Sequence, residues 1–309
     1  MVKVSLVIAT YNRSRSLLRT LGSLPAQTLD RSLFEVVVVD NNSSDDTREV
    51  VGRFAADHPD LRLVYRFERE QGLSPARNSG IAASQGGYIV IIDDDETVNP
   101  GFLSSYYYLF ENFPDAAAAG GRIVARFETA HPPRWMSHYT ERVIAGILDL
   151  GPRIRPFTGK AYPGGGNIGF RRSALDRYGL FDPSLGRRGA LLLGGEEKEL
   201  VGRIRAAGEQ VYYVPGAVIY HYIPAERLTK AYFDKVTYMV GVSERTRTKA
   251  QGTGAFAGRV LAECVKWAAT LVLLAGYTLR FRPAKGWYLV RMRRNVSRGL
   301  MGAGPANNR

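Results

Sequence analysis

Through the first hundred residues, unbroken apolar runs alternate with stretches of helical periodicity. Residues 4–9 form a continuous apolar strand pattern. Residues 14–24 place Leu17, Leu18, Leu21 and Leu24 at helical spacing. Residues 35–39 form a second apolar run that stops at Asp40. The polar stretch 41–46 has N-cap chemistry, and a helix is expected after it as far as Phe54. A third strand is expected over 61–65, a third helix over 74–84 and a fourth strand over 88–92. Strands without an exposed polar face, alternating with helices, predict an α/β fold around a mostly parallel sheet flanked by helices.

Ligands of such sheets bind at the carboxyl ends of the strands. Three polar clusters fall there: Thr10-Tyr11-Asn12-Arg13, Asp40-Asn41-Asn42 and Asp93-Asp94-Asp95. Together they predict a nucleotide site. Three consecutive aspartates at the end of a buried strand repel one another, and a hard divalent cation relieves that repulsion through oxygen ligands. The other reading of the triplet is a solvated acidic turn. Neither G-x-x-x-x-G-K-[ST] nor a G-x-G-x-x-G after the first strand is present, which counts against a P-loop enzyme and a dinucleotide dehydrogenase. Phosphate charge must then meet the cation and side chains such as Arg77.

Charge changes the picture at the other end of the chain. The formal net charge is +13. Residues 245–309 carry thirteen Lys/Arg and one acid, Glu263, whereas residues 1–244 are nearly neutral. A near-neutral body with a basic tail predicts an anionic partner for the tail. A helix is expected over 226–250, a break at 252–254, and a second helix over 260–279. Its apolar stretch is about 13 residues, short of the ~20 needed to cross a bilayer, so an interfacial or re-entrant helix is expected. Arginines interleaved with Trp287, Tyr288 and Leu289 suit an anionic membrane surface, contacted through residues 256–298. The alternative is a helical pair packed on the body or in a homodimer. The single cysteine, Cys264, excludes an internal disulfide. Residues 1–8 lack a signal-peptide core, which predicts a cytoplasmic protein, peripheral on the cytoplasmic face of the membrane.

Taken in order, six motifs resemble those of family-2 glycosyltransferases of the GT-A fold, over about residues 3–224. They are residues 7–13 (VIATYNR), 38–45 (VVDNNSSD), 76–80 (ARNSG), the triplet 93–95, 164–172 (GGGNIGFRR), and 194–197 (GGEE) followed by Leu200 and Arg203. The resemblance implies an inverting, metal-dependent transfer of sugar from a nucleotide diphosphate, UDP first among the bases, to a hydroxyl of a glycan or lipid-linked acceptor, as in polysaccharide biosynthesis. It implies a transferase domain over 1–225, with a nucleotide-binding half at 1–100 and an acceptor and catalytic half at 101–225. Residues 226–309 would be the helical extension.

Residue by residue, the resemblance implies that Thr10, Tyr11, Arg13, Asp40, Asn42, Arg77, Asp93 and Asp94 line the nucleotide. Asp95 would bind Mn²⁺ or Mg²⁺, the triplet serving as a DXD motif, with His221 either a further metal ligand or a structural histidine. Gly165, Gly166 and Asn167 would lie beside the donor sugar. Trp135 would stack on an acceptor sugar or serve as a core residue, and residues 129–162 would form an acceptor-side loop region. Glu197 occupies the position of the family's general base, where the family usually has aspartate, and Glu196 is its rival.

Two other classes compete. A sugar nucleotidyltransferase would carry a glycine-rich turn where Thr10-Tyr11-Asn12-Arg13 stands. A nucleic-acid-binding protein would leave Asp93–95 and Glu196-Glu197 repelling its ligand, so no nucleic-acid partner is expected.

Overall fold

A computed structural model describes residues 1–129, 131–159, 161–189 and 193–304. The chain divides into two compact units: Met1–Val124 with Leu148–Gly189 and Glu196–Tyr222, and Ala125–Ile147 with Ala190–Gly195 and Ile223–Arg309. Ala125–Ile147 therefore belongs with the C-terminal helices, and the division is not a single cut near residue 225.

The strands are β1 Val4–Thr10, β2 Phe34–Asp40, β3 Leu63–Phe67, β4 Tyr88–Asp93, β5 Glu96–Val98, β6 Ala116–Phe127, β7 Arg155–Pro156, β8 Ile168–Arg171 and β9 Gln210–Ile223. They form one sheet in the order β3-β2-β1-β4-β8-β6-β9-β5, with β7 paired to β9. Through β3-β2-β1-β4 the pairs are parallel, as the unbroken apolar runs predict. Beyond β4 the recorded pairs are antiparallel. All seven residues of β2 are buried, so that strand is covered on both faces.

The helices of the first unit are α1 Ser14–Leu21, α2 Thr47–Asp57, α3 Leu73–Ala83 and α4 Phe102–Asn112, all within its N-terminal part. In the second unit α5 is His138–Ala145, closed by a capping box between Ser137 and Thr140. This helix corrects the expectation of a loop over 129–162. Its sequence signal was the Ser-x-x-Thr spacing before an apolar stretch. The first unit continues with α6 Arg172–Tyr178 and α7 Glu196–Ala206.

The second unit also holds α8 Lys230–Ala250, α9 Thr253–Leu279 and α10 Pro283–Met301. Gly252, at φ 107°, makes the break between α8 and α9. Pro283 starts α10, where its missing N–H costs nothing. Helices α8 and α10 approach closely because Gly241 and Gly299 lack side chains: a Cβ would lie 2.1 Å from the Val296 carbonyl oxygen and 2.2 Å from that of Tyr238. Phe233, Leu289, Met292 and Val296 form the core of this unit. At 27 residues, α9 is about twice the apolar run counted from the sequence and about 40 Å long. By length and composition it is sufficient to cross a membrane. The apolar count missed this because Glu263 and Lys266 interrupt it without ending the helix.

Candidate active site

Strand register sets the site. Thr10 of β1 lies beside Asp40 of β2, and Ala9 beside Asp93 of β4. Three expected residues therefore stand in a row at the carboxyl edge of the parallel strands. Asp40 is buried; its carboxylate accepts from the Ser43 N–H at 2.9 Å and the Tyr65 hydroxyl at 2.7 Å. Asn42 adopts a left-handed conformation, φ 63°. Both Asn42 and Tyr11 are exposed beside this edge.

The aspartate triplet is divided in its contacts. Asp94 is buried and accepts from the Thr10 hydroxyl at 2.8 Å and from Arg13 at 2.5 Å. Arg13 also reaches Asp95 at 2.9 Å. Burial pushes the Asp94 carboxyl up to about 7 against the pull of Arg13, with Asp95 adding to the rise. Asp95 lies 3.6 Å from His221 Nε2. His221 stands opposite Glu96 in the β5–β9 register.

Carboxylate oxygens of Asp93, Asp95 and Glu96 lie within 4.8 Å of one another. Among the described residues this is the group of acids that could hold a metal ion, and its donors are the hard oxygens that Mn²⁺ and Mg²⁺ prefer. Glu96 was missed at the sequence level. Its signal was its place as the fourth consecutive acid after Asp93-Asp94-Asp95. Its carboxylate accepts from the Asp93 N–H at 2.9 Å. Burial, then Asp93 and Asp95, hold the Glu96 carboxyl well above the usual range.

Arg77, from α3, joins this edge to the start of α7. It is 1% exposed. Its Nη2 donates to Asp93 at 2.9 Å and to the Gly165 carbonyl at 3.1 Å. Its Nη1 donates to Glu196 at 3.1 Å and Glu197 at 3.0 Å. Burial alone would lower its pKa, but Asp93, Glu197 and Glu196 raise it on balance, so the guanidinium stays charged. Burial, then the neighbouring Glu197, push Glu196 up to about 8 despite Arg77. Glu196 Oε2 and Arg77 Nε are buried without a hydrogen-bond partner. Glu197 is more open than Glu196, with its side chain 15% exposed against 2%.

The glycines of 164–166 make room for carboxylates. A Cβ on Gly165 would lie 1.6 Å from Glu197 Oε1, and one on Gly166 would lie 2.1 Å from Glu96 Oε1. Asn167 is fully buried. Its amide donates to the Arg122 and Ala217 carbonyls, both at 2.9 Å, and its oxygen accepts from the Tyr106 hydroxyl at 2.7 Å. These bonds tie β8 to its neighbours and occupy the groups expected to meet a sugar. Arg171 and Arg172 likewise donate to backbone carbonyls, including those of Phe110 and Ser84. Trp135 is in the second unit, stacked on Tyr288 at 4.3 Å between ring centroids. The structure thus brings Thr10, Arg13, Arg77, Asp93, Asp94, Asp95, Gly165, Gly166, Glu196, Glu197 and His221 together within the first unit.

A mostly parallel sheet whose carboxyl edge gathers acids that could hold a metal ion is the arrangement of the GT-A fold of glycosyltransferases. Residues 5–179 match the model of glycosyl transferase family 2, and the chain belongs to that family. It is 29% identical over 225 residues to glucosyl-dolichyl phosphate glucuronosyltransferase of Haloferax volcanii, covering 71% of this chain and 69% of that one. It is 30% identical over 219 residues to the succinoglycan biosynthesis protein ExoO of Rhizobium meliloti, where the match spans 60% of the relative's length and 71% of this chain. The fold is similar to that of mannosyltransferase PcManGT from Pyrobaculum calidifontis, solved with GDP-Man and Mn²⁺, with a TM-score of 0.63 and 19% identity over 98% of this chain and 88% of that one.

Proposed function

We propose that the protein transfers a sugar from a nucleotide-diphosphate donor to a hydroxyl of a glycan or lipid-linked acceptor, with inversion at the anomeric carbon and Glu197 as general base. The observation that carries this reading is the bridge made by Arg77 between Asp93, at the metal-binding edge, and Glu197. In this reading Thr10, Arg13 and Asp40 shape the nucleotide edge, and Tyr11 and Asn42 border it.

Asp95 and Asp93, with Glu96 and His221 beside them, would hold Mn²⁺ or Mg²⁺. Such an ion supplies Lewis-acid stabilisation of the diphosphate's developing charge. The acceptor hydroxyl gives its proton to a Glu197 carboxylate oxygen as its own oxygen bonds to the anomeric carbon. The bond from that carbon to the diphosphate breaks, and its electron pair leaves with the diphosphate. Arg77 holds Glu197 in place and offsets the negative charge gathered around it. Glu196, being buried and largely protonated near neutral pH, is the weaker candidate for the base.

The relative named for a dolichyl phosphate substrate, together with the basic C-terminal segment, supports placement on the cytoplasmic face of a membrane. The test is thermal stabilisation by a panel of nucleotides and nucleotide sugars, UDP and GDP forms first, with and without Mn²⁺. A metal-dependent shift with one nucleotide series is expected. The absence of a shift with every nucleotide diphosphate contradicts the reading.

A further inference from the structure

Helix α9 is built inside out for a helix in water. Its buried residues are Glu263 and Thr270. Glu263 accepts from Arg259 at 2.8 Å and from Arg293 of α10 at 2.9 Å, and Arg259 continues to Glu244 of α8 at 2.8 Å. The outward stripe is apolar: Leu261 is 68% exposed, Val265 66%, Val272 73% and Leu279 80%. These positions recur at helical spacing, with Gly254, Gly258, Cys264, Ala268 and Ala275 at or between them. A helix that turns Arg259 and Glu263 inward and its Leu and Val outward, with the exposed Lys266 set off that stripe by helical spacing, meets something other than water.

The end of this stripe identifies the cover. Where α9 turns into α10, Phe281 is 95% exposed and lies between the exposed Arg280 and Arg282, with Trp287 exposed one helical turn beyond Pro283. No acidic residue occurs from Arg280 to the end of the chain. Aromatic side chains among cations fit an anionic headgroup layer. A second copy of the chain would bring like charges together at this end.

We propose that α9 lies along the membrane with its outward stripe, from Gly254 to Leu279, sunk into the acyl boundary of an anionic bilayer and the α9–α10 turn among the headgroups. The helix does not cross. Crossing would draw α8 and α10 into the hydrocarbon or break the Arg259–Glu263–Arg293 and Arg259–Glu244 ion pairs, and a buried pair that loses one partner leaves an uncompensated charge. This deepens the membrane placement proposed above, and the two fail separately.

Cys264 is the only cysteine and is exposed on the stripe, so the full chain supplies its own probe site. The protein labelled there with an environment-sensitive fluorophore is mixed with vesicles of phosphatidylcholine alone or with phosphatidylglycerol. Its emission is expected to shift to shorter wavelength with the anionic vesicles. The label is expected to be quenched more strongly by lipids spin-labelled near the headgroup than by those labelled at the chain end. In a Cys264→Ser background, Gly258→Cys and Val272→Cys are expected to report the same shallow depth. Flotation with vesicles that is lost in high salt, without an emission shift, would leave surface placement standing and overturn the embedded stripe. A depth that increases from 258 to 272 would overturn the in-plane geometry in favour of a crossing helix. Cys264–Cys264 cross-linking that grows with protein concentration without lipid, and no emission shift with vesicles, would assign the stripe to a second copy.

Discussion

Arg77 and Glu197 lie 120 positions apart in the chain and 3.0 Å apart in the structure. The same guanidinium holds Asp93 at 2.9 Å, so the proposed nucleotide edge and the proposed base meet at two ends of one buried cation. Four groups, three carboxyls and the Gly165 carbonyl, accept hydrogen bonds from that cation.

Replacing Arg77 by Met should therefore destabilise the fold as well as the site. Buried Glu196 and its neighbours lose their partner, a class of change that costs about 3–5 kcal/mol. Urea unfolding at pH 7.5 is expected to show a lower midpoint for Arg77→Met, and a smaller loss for Arg77→Lys, which keeps the charge without the two-pronged geometry.

Gly165→Ala should act on Glu197 with little effect on the core. The added Cβ would lie 1.6 Å from Glu197 Oε1, the far end of a flexible side chain that can swing aside. Donor turnover is expected to fall at least about tenfold as the proposed base leaves its position, while the thermal midpoint moves by only a few degrees. Unchanged turnover would separate Glu197 from the chemistry.

Stability without metal should fall as pH rises from about 5 to about 8. The Glu196 pKa is raised to about 8 in the folded chain, from 4.5 when exposed. Between those values the folded state binds more protons than the unfolded one, so stability declines with pH. Asp94, raised to about 7, contributes in the same direction. Thermal melts across that range are expected to slope downward, and Glu196→Gln should flatten the slope without removing it.

Asp95→Asn should abolish the stabilisation that Mn²⁺ and a nucleotide diphosphate give together. At ligand concentrations about a hundredfold above Kd, that linkage contributes about 2.7 kcal/mol in the parent. Thermal melts of the variant are expected to be the same with and without the pair of ligands.

Much of this arrangement was legible in the sequence. The four parallel strands follow from apolar runs, and the edge acids from the residues that end them. What stayed hidden depends on contacts between distant segments. The glycines at 165 and 166 signalled a close approach, but only the fold reveals that Glu197 and Glu96 make it. Asn167 has the chemistry of a sugar ligand and is instead consumed by carbonyls of two other segments. Trp135 has the composition of a stacking platform and packs on Tyr288. Helix α9 was underestimated because a count of apolar residues cannot tell which side of the helix its charges face.

The most direct test of the central claim is Glu197→Gln, measured by donor titration calorimetry with Mn²⁺ and by donor turnover in parallel. Donor affinity is expected to stay within about twofold, since Gln keeps the shape, while turnover falls by about 10²–10⁴, the usual contribution of a general base. Turnover equal to that of the parent, with the donor bound, would contradict the assignment of Glu197 as the base.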